Sequence, residues 1–292
     1  MKRKPGIRMN YRGILTAACL AVLSLPPAAA ANPSTLGLRL SSQQVTTPSA
    51  GKRADFLKLE SPPVSKPPLI TLDDANDVID VRPKPLKRIV IDPGHGGTNE
   101  GAIGVAGIHE KHLTLQIALL LADKLRSRMP DVEIILTRQR DVNMSLAERI
   151  DVANRAKADL FLILHFNSSL NPEAIGFESF WVGDFWEKDL IKAGVEIDDA
   201  TRQQRTAAAL LGRRMGASFN HAMGRHTGAM DRGVKPGNYT VLTRAEVPAV
   251  VLEMAFLSHA KEGIDIASQE YRIKLVNALA DAVTGYTSDR QF

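Results

Sequence analysis

Beyond residue 31 this 292-residue sequence has no cysteine; the single one, Cys19, lies in the amino-terminal segment. Without thiols the rest of the chain can form no disulfides and offers no thiol nucleophile. Its stability must come from a packed core, and its chemistry from other groups. It also lacks net charge. The formal +5 of the full chain comes from 37 Lys and Arg against 32 Asp and Glu, and five of those bases but none of the acids lie in residues 1–31, so 32 of each remain. The basic balance therefore belongs to the leader, and a general nucleic-acid-binding role loses its support. No apolar run reaches the roughly 20 residues that span a bilayer. No internal repeat is visible. The glycine-rich GHGGTN (Gly94–Asn99) has Asn99 where a dinucleotide fingerprint needs glycine, and it lacks the Gly-Lys-Ser/Thr of a phosphate-binding loop.

What is present begins with an export signal. Lys2, Arg3, Lys4, Arg8 and Arg12 precede the short apolar run Gly13–Leu25, and small residues follow at Ala28 and Ala30. This pattern predicts a secretory signal peptide over residues 1–31, cleaved near Ala30 or Ala31. No adjacent arginines occur there, so a twin-arginine route is not supported. Cys19 sits inside the apolar run, with Leu20–Leu25 continuing past it, which disfavours a lipoprotein site. Residues 32–86 are rich in Pro, Ser and Thr and read as a linker with one short ordered piece at LITLDDANDVIDV. A globular pattern fills 87–287, and 288–292 is a tail.

Within the globular part, RIVID (Arg88–Asp92), VEIILTR, DLFLILHFNSS, GFESFWVG, YTVLTR and AVVLEMAFLS read as six strands. Between them, Leu113, Ile117, Leu120, Leu121 and Leu125 mark one face of a helix, and Ser145 with Glu148 makes a capping box for another. Gln203–Met223 reads as a long helix and Gln269–Tyr286 as a closing one. The alternation predicts a single layered α/β domain, with a mostly parallel or mixed sheet of about six strands flanked by helices.

Ligands of such sheets gather beyond the strand ends. His95 follows IVIDPG, His165 follows LFLIL, Glu253 follows AVVL, and Glu110 opens a helix in GIHEKHLT. Two histidines and a carboxylate on rigid elements suit a three-ligand catalytic zinc site with one open position, and a spare glutamate suits proton transfer. Blander readings exist for each. Glu110 can complement a helix dipole, His165 can be satisfied by backbone, and Glu253 can sit in a salt bridge. HEKH is not a metalloprotease H-E-x-x-H, because the fifth position is Leu113, so His109 and His112 read as flanking or solvated. Asn167 is a candidate for orienting a ligand or binding substrate, or for a turn. Arg138 and Arg149 read as structural ion-pair partners, and His221 and His226 as helix-end caps or solvated. Trp181, Phe185 and Trp186 read as core or lid packing, with contact to substrate or a partner as the alternative.

The segments DPGHGG (Asp92–Gly97), HEK, LTR, LAERIDVAN, ADLFLILHFNS and VPAVVLEMAFLSHAKEG (Val247–Gly263) occur in this order. Together they resemble the zinc-dependent N-acetylmuramoyl-L-alanine amidases of the type-3 family, over about Lys87 to Tyr286. The resemblance implies one zinc ion held by His95, Glu110 and His165, with Glu253 as the catalytic glutamate of an E-x-x-F-L-S pattern. It implies cleavage of peptidoglycan between the lactyl group of N-acetylmuramic acid and L-alanine. Ala255 and His259 depart from the glycine and asparagine common in the family. Some members cover the zinc with a helix that a protein activator removes, and Asp184–Gln204 is long enough for such a segment. With an export signal, no anchor in the mature chain and no wall-binding repeats, the expected location is the periplasm, with secretion second. Two other classes of function are a zinc-binding wall module without hydrolysis and a zinc peptidase of exported proteins.

Overall fold

A computed structural model describes residues 83–286. The signal peptide, most of the linker and the tail lie outside them. The elements follow in the order β1 (Arg88–Pro93), α1 (Glu110–Arg128), β2 (Glu133–Leu136), α2 (Leu146–Ala156), β3 (Leu160–Asn167), β4 (Phe177–Trp181), α3 (Phe185–Lys192), α4 (Asp199–Thr227), β5 (Asp231–Pro236), α5 (Thr240–Thr243), β6 (Ala249–Phe256), α6 (Ala260–Ala267) and α7 (Gln269–Tyr286). The strands form one six-stranded mixed sheet in the order β2-β1-β3-β6-β4-β5. The first four strands of that order are parallel; β4 runs antiparallel to β6, and β5 runs parallel to β4.

The unbroken apolar runs of β1, β3 and β6 are explained by burial on both faces. Ile89, Ile91, Leu162, Leu164, Val250 and Leu252 pack into one core with Ile117, Leu121, Met215, Phe219 and Leu279. Val90, Phe161, Ile163 and Val251 turn to the other face and pack with Ile150, Ala153, Trp186 and Leu242. On this second face the strand period of two also places His165 and Glu253, two residues past Ile163 and Val251.

Helix α1 buries Glu110, Leu113, Thr114, Ile117, Ala118, Leu121, Ala122 and Leu125. At about 100° per residue these span a continuous arc, and Leu120 falls just outside it. Leu120 is accordingly 41% exposed, contrary to its expected place on the buried face. Glu110 falls well inside the arc, so a carboxylate is driven into the interior by the same periodicity that buries the leucines.

Two elements differ from the sequence expectation. YTVLTR is not a strand: residues 240–243 form the single turn α5, and Val241, Leu242 and Thr243 are all buried. Their backbone closes as a turn instead, with the Leu242 N–H and the Thr243 N–H both donating to the Tyr239 carbonyl, at 2.8 and 2.9 Å. The sixth strand is instead DRGVKP, an edge strand whose glycine, proline and charges hide the alternating signal. Helix α4 is also longer at both ends than its apolar core suggests, starting at an Asp198 cap and ending at Gly228 with φ 64°.

The capping box at α2 is present: the Ser145 hydroxyl accepts from the Glu148 N–H at 3.2 Å, and the Ser145 N–H donates to Glu148 Oε2 at 2.7 Å. Ser145→Ala should therefore destabilise the protein by about 1 kcal/mol. Urea unfolding measures this, and an unchanged midpoint would remove the cap from the account.

Candidate metal centre

The centre is assembled at the carboxyl ends of β1, β3 and β6. As β1 ends, Asp92 pairs with Arg149 at 2.7 Å, both fully interior. Arg149 also donates to the carbonyls of Pro93 at 2.8 Å and His95 at 2.6 Å. Arg138 donates to the carbonyls of Pro93, Gly94 and Lys111, each at 2.9 Å. Two buried guanidinium groups thus satisfy the carbonyls of a loop that makes few backbone bonds of its own. Arg149 is an ion-pair partner, as expected; Arg138 differs, because its bonds go to carbonyls rather than a carboxylate. Burial, with Arg149 nearby, pulls the Arg138 pKa down to about 10.

This loop holds His95 at φ 61°, a left-handed conformation uncommon for a side-chain-bearing residue. The ring's Nδ1 lies 2.8 Å from Asn99 Oδ1, which leaves Nε2 toward Glu110 Oε2 at 3.1 Å. A β-carbon on Gly94 would lie 2.3 Å from the His165 ring, and one on Gly101 would lie 2.6 Å from Glu110 Oε2. These two glycines allow the backbone to approach the cluster.

Glu110 is the hub. Its Oε1 accepts from His165 Nδ1 and from the Phe166 N–H, both at 2.9 Å. Its Oε2 accepts from the Ala102 N–H at 2.9 Å. Burial opposes ionisation, but the bonds from His165 and His95 outweigh it and hold the carboxyl below the usual range. For His165, burial acts against the charged form, yet the Glu110 bond and the nearby Glu253 raise its pKa. One ligand atom from each of His95, Glu110 and His165 lies within 4.8 Å of the others. Two imidazoles and a carboxylate this close, with a half-exposed histidine edge, fit a single metal ion.

Glu253 stands beside this cluster. It is the register partner of His165 on β3 and of Glu178 on β4. Its Oε2 is buried without a hydrogen-bond partner among the described residues. Burial pushes its pKa up to about 7, with His165 working in the opposite sense. Among the described residues no salt bridge accounts for its position. The cleft of about 560 Å³ above these groups is lined by His95, Glu110, His165 and Glu253, with Leu146 and Tyr239 on its walls.

Asn167 also lines this cleft, but its Nδ2 donates to Glu178 Oε1 at 2.6 Å. His109 and His112 are outside the cluster and face Glu100 and Asp141. His259 caps α6 by accepting from the Glu262 N–H at 3.3 Å. His226 is neither cap nor solvated, since its Nε2 meets Asp281 at 2.7 Å and joins α4 to α7. Trp186 is core, with the Arg205 guanidinium 5.0 Å from its ring centre. Anchored this way, none of residues 184–204 lines the cleft. Sequence reasoning passed over Asn99, Glu178, Arg232, Lys235 and Tyr239. The one signal in the sequence was the charge of Glu178 within the short strand FESFW.

An α/β sheet that brings two histidines and a glutamate together at its strand ends, beside an unpartnered carboxylate, has the layout of a metallohydrolase. Residues 89–285 match the family model for N-acetylmuramoyl-L-alanine amidase. The chain belongs to that family and is a peptidoglycan amidase, a hydrolase. It is 32% identical over 203 residues to the sporulation-specific N-acetylmuramoyl-L-alanine amidase of Bacillus subtilis, covering 70% of this chain and 66% of that one. It is 26% identical over 263 residues to the amidase AmiA of Escherichia coli, covering 81% and 89%. The solved catalytic domain of CwlV, an amidase from Bacillus (Paenibacillus) polymyxa, superposes with a TM-score of 0.56 at 28% identity, covering 69% of this chain and 98% of that one. Among the described residues no helix is long and apolar enough to cross a membrane.

Proposed function

We propose that the enzyme binds one zinc ion through His95, Glu110 and His165 and hydrolyses the lactyl–L-alanine amide with Glu253 as general base. The observation that carries this reading is the unpartnered, buried Oε2 of Glu253 beside the three-ligand cluster. The donor set suits zinc, whose preferred ligands are imidazole nitrogen and carboxylate oxygen. When bound, zinc supplies Lewis-acid polarisation of a carbonyl and makes water more acidic.

The chain's own groups do the rest. Glu253 Oε2 takes a proton from the attacking water as its oxygen bonds to the amide carbon. The same carboxyl then gives that proton to the alanine nitrogen as the carbon–nitrogen bond breaks, leaving a lactyl carboxylic acid and a peptide with a free amine. Arg138 and Arg149 keep the His95 loop in place through its carbonyls. Leu146 and Tyr239 shape the cleft walls that hold the substrate.

The reading includes export to the periplasm, with residues 1–31 removed, 32–86 as linker and 87–287 as the catalytic domain. Cell fractionation and amino-terminal sequencing check this part. The activity is tested on purified peptidoglycan. The expected products are intact glycan strands and stem peptides bearing new amino-terminal alanine, with activity lost to a chelator and restored by zinc. Cleavage confined to bonds within peptides would favour a peptidase, and binding without cleavage a wall module.

A further inference from the structure

The edge strand beside the centre has an irregularity with a chemical consequence. Between Phe177 and Ser179 on β4 lie two steps of chain; their partners on β5, Asp231 and Val234, are three apart. The extra residue is a bulge, with Gly233 at φ 90°. In a regular strand, Arg232 and Lys235 would point to opposite faces. With the bulge both reach one carboxylate: Arg232 Nε lies 3.4 Å from Glu178 Oε2, and Lys235 Nζ also bonds that oxygen.

Glu178 pairs directly with Glu253, so this cationic pair lies on the same face of the sheet as the metal cluster. The row across that face runs His165, Glu253, Glu178, then Arg232 with Lys235. Over the whole row two carboxylates match two cations, but Glu253 faces the metal cluster, so at the outer end the cations outnumber the carboxylates. Two cations meet one carboxylate whose other oxygen is taken by Asn167. The next acid on β5, Asp231, is turned to Asn220 of α4 and to the Gly233 N–H. Arg232 is further tied down by stacking 5.0 Å from the Phe256 ring and by the Ile175 carbonyl. Lys235 is the freer of the two, with 41% of its side chain exposed.

We propose that Arg232 and Lys235 form a carboxylate subsite that makes the enzyme selective for acidic stem peptides. This rests on the amidase reading above. Strands lie about 4.8 Å apart, so β5 is roughly 14 Å from the histidine on β3. An extended peptide advances about 3.4 Å per residue, and a lysine side chain reaches back over part of the gap. The carboxylate recognised is therefore one carried two to four residues beyond the scissile amide. Glu178 holds the two cations in place, and Asn167 ties Glu178 to the strand that carries His165.

The test uses the full-length enzyme with its metal and two muramoyl-peptides that differ only in whether those stem positions carry carboxylate or carboxamide. Wild type should prefer the acid by about tenfold in kcat/KM, chiefly through KM, as a charge-assisted contact predicts. Lys235→Met should raise KM for the acid until the two substrates are equivalent, and Lys235→Arg should keep most of the preference. Equal use of both substrates by wild type overturns the subsite. So does a Lys235→Met enzyme that loses kcat on both substrates alike, since that is the signature of a merely structural ion pair. If wild type cleaves neither substrate, the amidase reading itself fails and the subsite falls with it.

Discussion

Replacing Glu253 with glutamine will stop hydrolysis and leave the metal in place. The substitution conserves volume and removes only the ability to take and return a proton. General-base assistance is worth about 10² to 10⁴ in rate, and in the proposed mechanism one group serves both proton transfers, so a fall of at least about 10³ in kcat is expected, or roughly 4 kcal/mol of barrier. Zinc content should not change, because Glu253 is outside the three-ligand cluster. The pH profile supplies a second check. A base must be deprotonated to act, and burial lifts this carboxyl to about 7. A bound cation acts in the opposite sense, so the wild-type rate should fall as pH drops through the region at or below 7. That acid limb should be absent from the residual rate of the variant. A Glu253→Gln enzyme with activity near wild type would show that the proton is moved by another group. Folding should not suffer, since the native Oε2 has no hydrogen-bond partner to lose among the described residues.

The residues of the cluster were legible before the fold was seen because each punctuates a strong pattern. His165 and Glu253 interrupt runs of apolar residues where a sheet ends, and a charged or imidazole side chain in that place is costly without a purpose. Glu110 was harder. By itself it reads as a helix-dipole acid, and only its phase on α1, inside the arc of Leu113, Ile117 and Leu121, marks it as interior. The family resemblance, rather than spacing, gave these residues their roles. The strand at Asp231–Pro236 was not legible for a physical reason. An edge strand needs no continuous apolar run, and a bulge breaks the period of two that would have revealed it. The opposite error at Tyr239–Arg244 came from β-branched residues, whose preference for strands is overridden when one turn is packed between layers. The missing strand also carried Arg232 and Lys235, so the charged row beyond Glu253 could be seen only once β5 was paired. Long-range register, unlike local periodicity, is not written in any one segment.

Glu110→Ala should cost the protein both its metal and a measurable part of its stability. Removing a direct ligand should weaken zinc binding by more than the 10- to 100-fold that loss of an outer-shell partner typically causes. The stability effect has a separate origin. The Glu110 carboxylate accepts the Phe166 and Ala102 N–H groups as well as facing both histidines. With alanine there, two backbone donors near the interior lose their acceptor, at about 1–3 kcal/mol each. The melting temperature should then drop by on the order of 10 °C even when wild type and variant are compared in excess chelator. His165→Ala gives the contrast. It should also lose zinc, but it leaves both N–H groups bonded to Glu110, so its melting temperature in chelator should fall less. Metal analysis and thermal unfolding of the two variants separate the proposed ligand role of Glu110 from its role as a hydrogen-bond acceptor. Full zinc retention by Glu110→Ala would remove it from the coordination set, and equal melting of the two apo variants would remove the structural role.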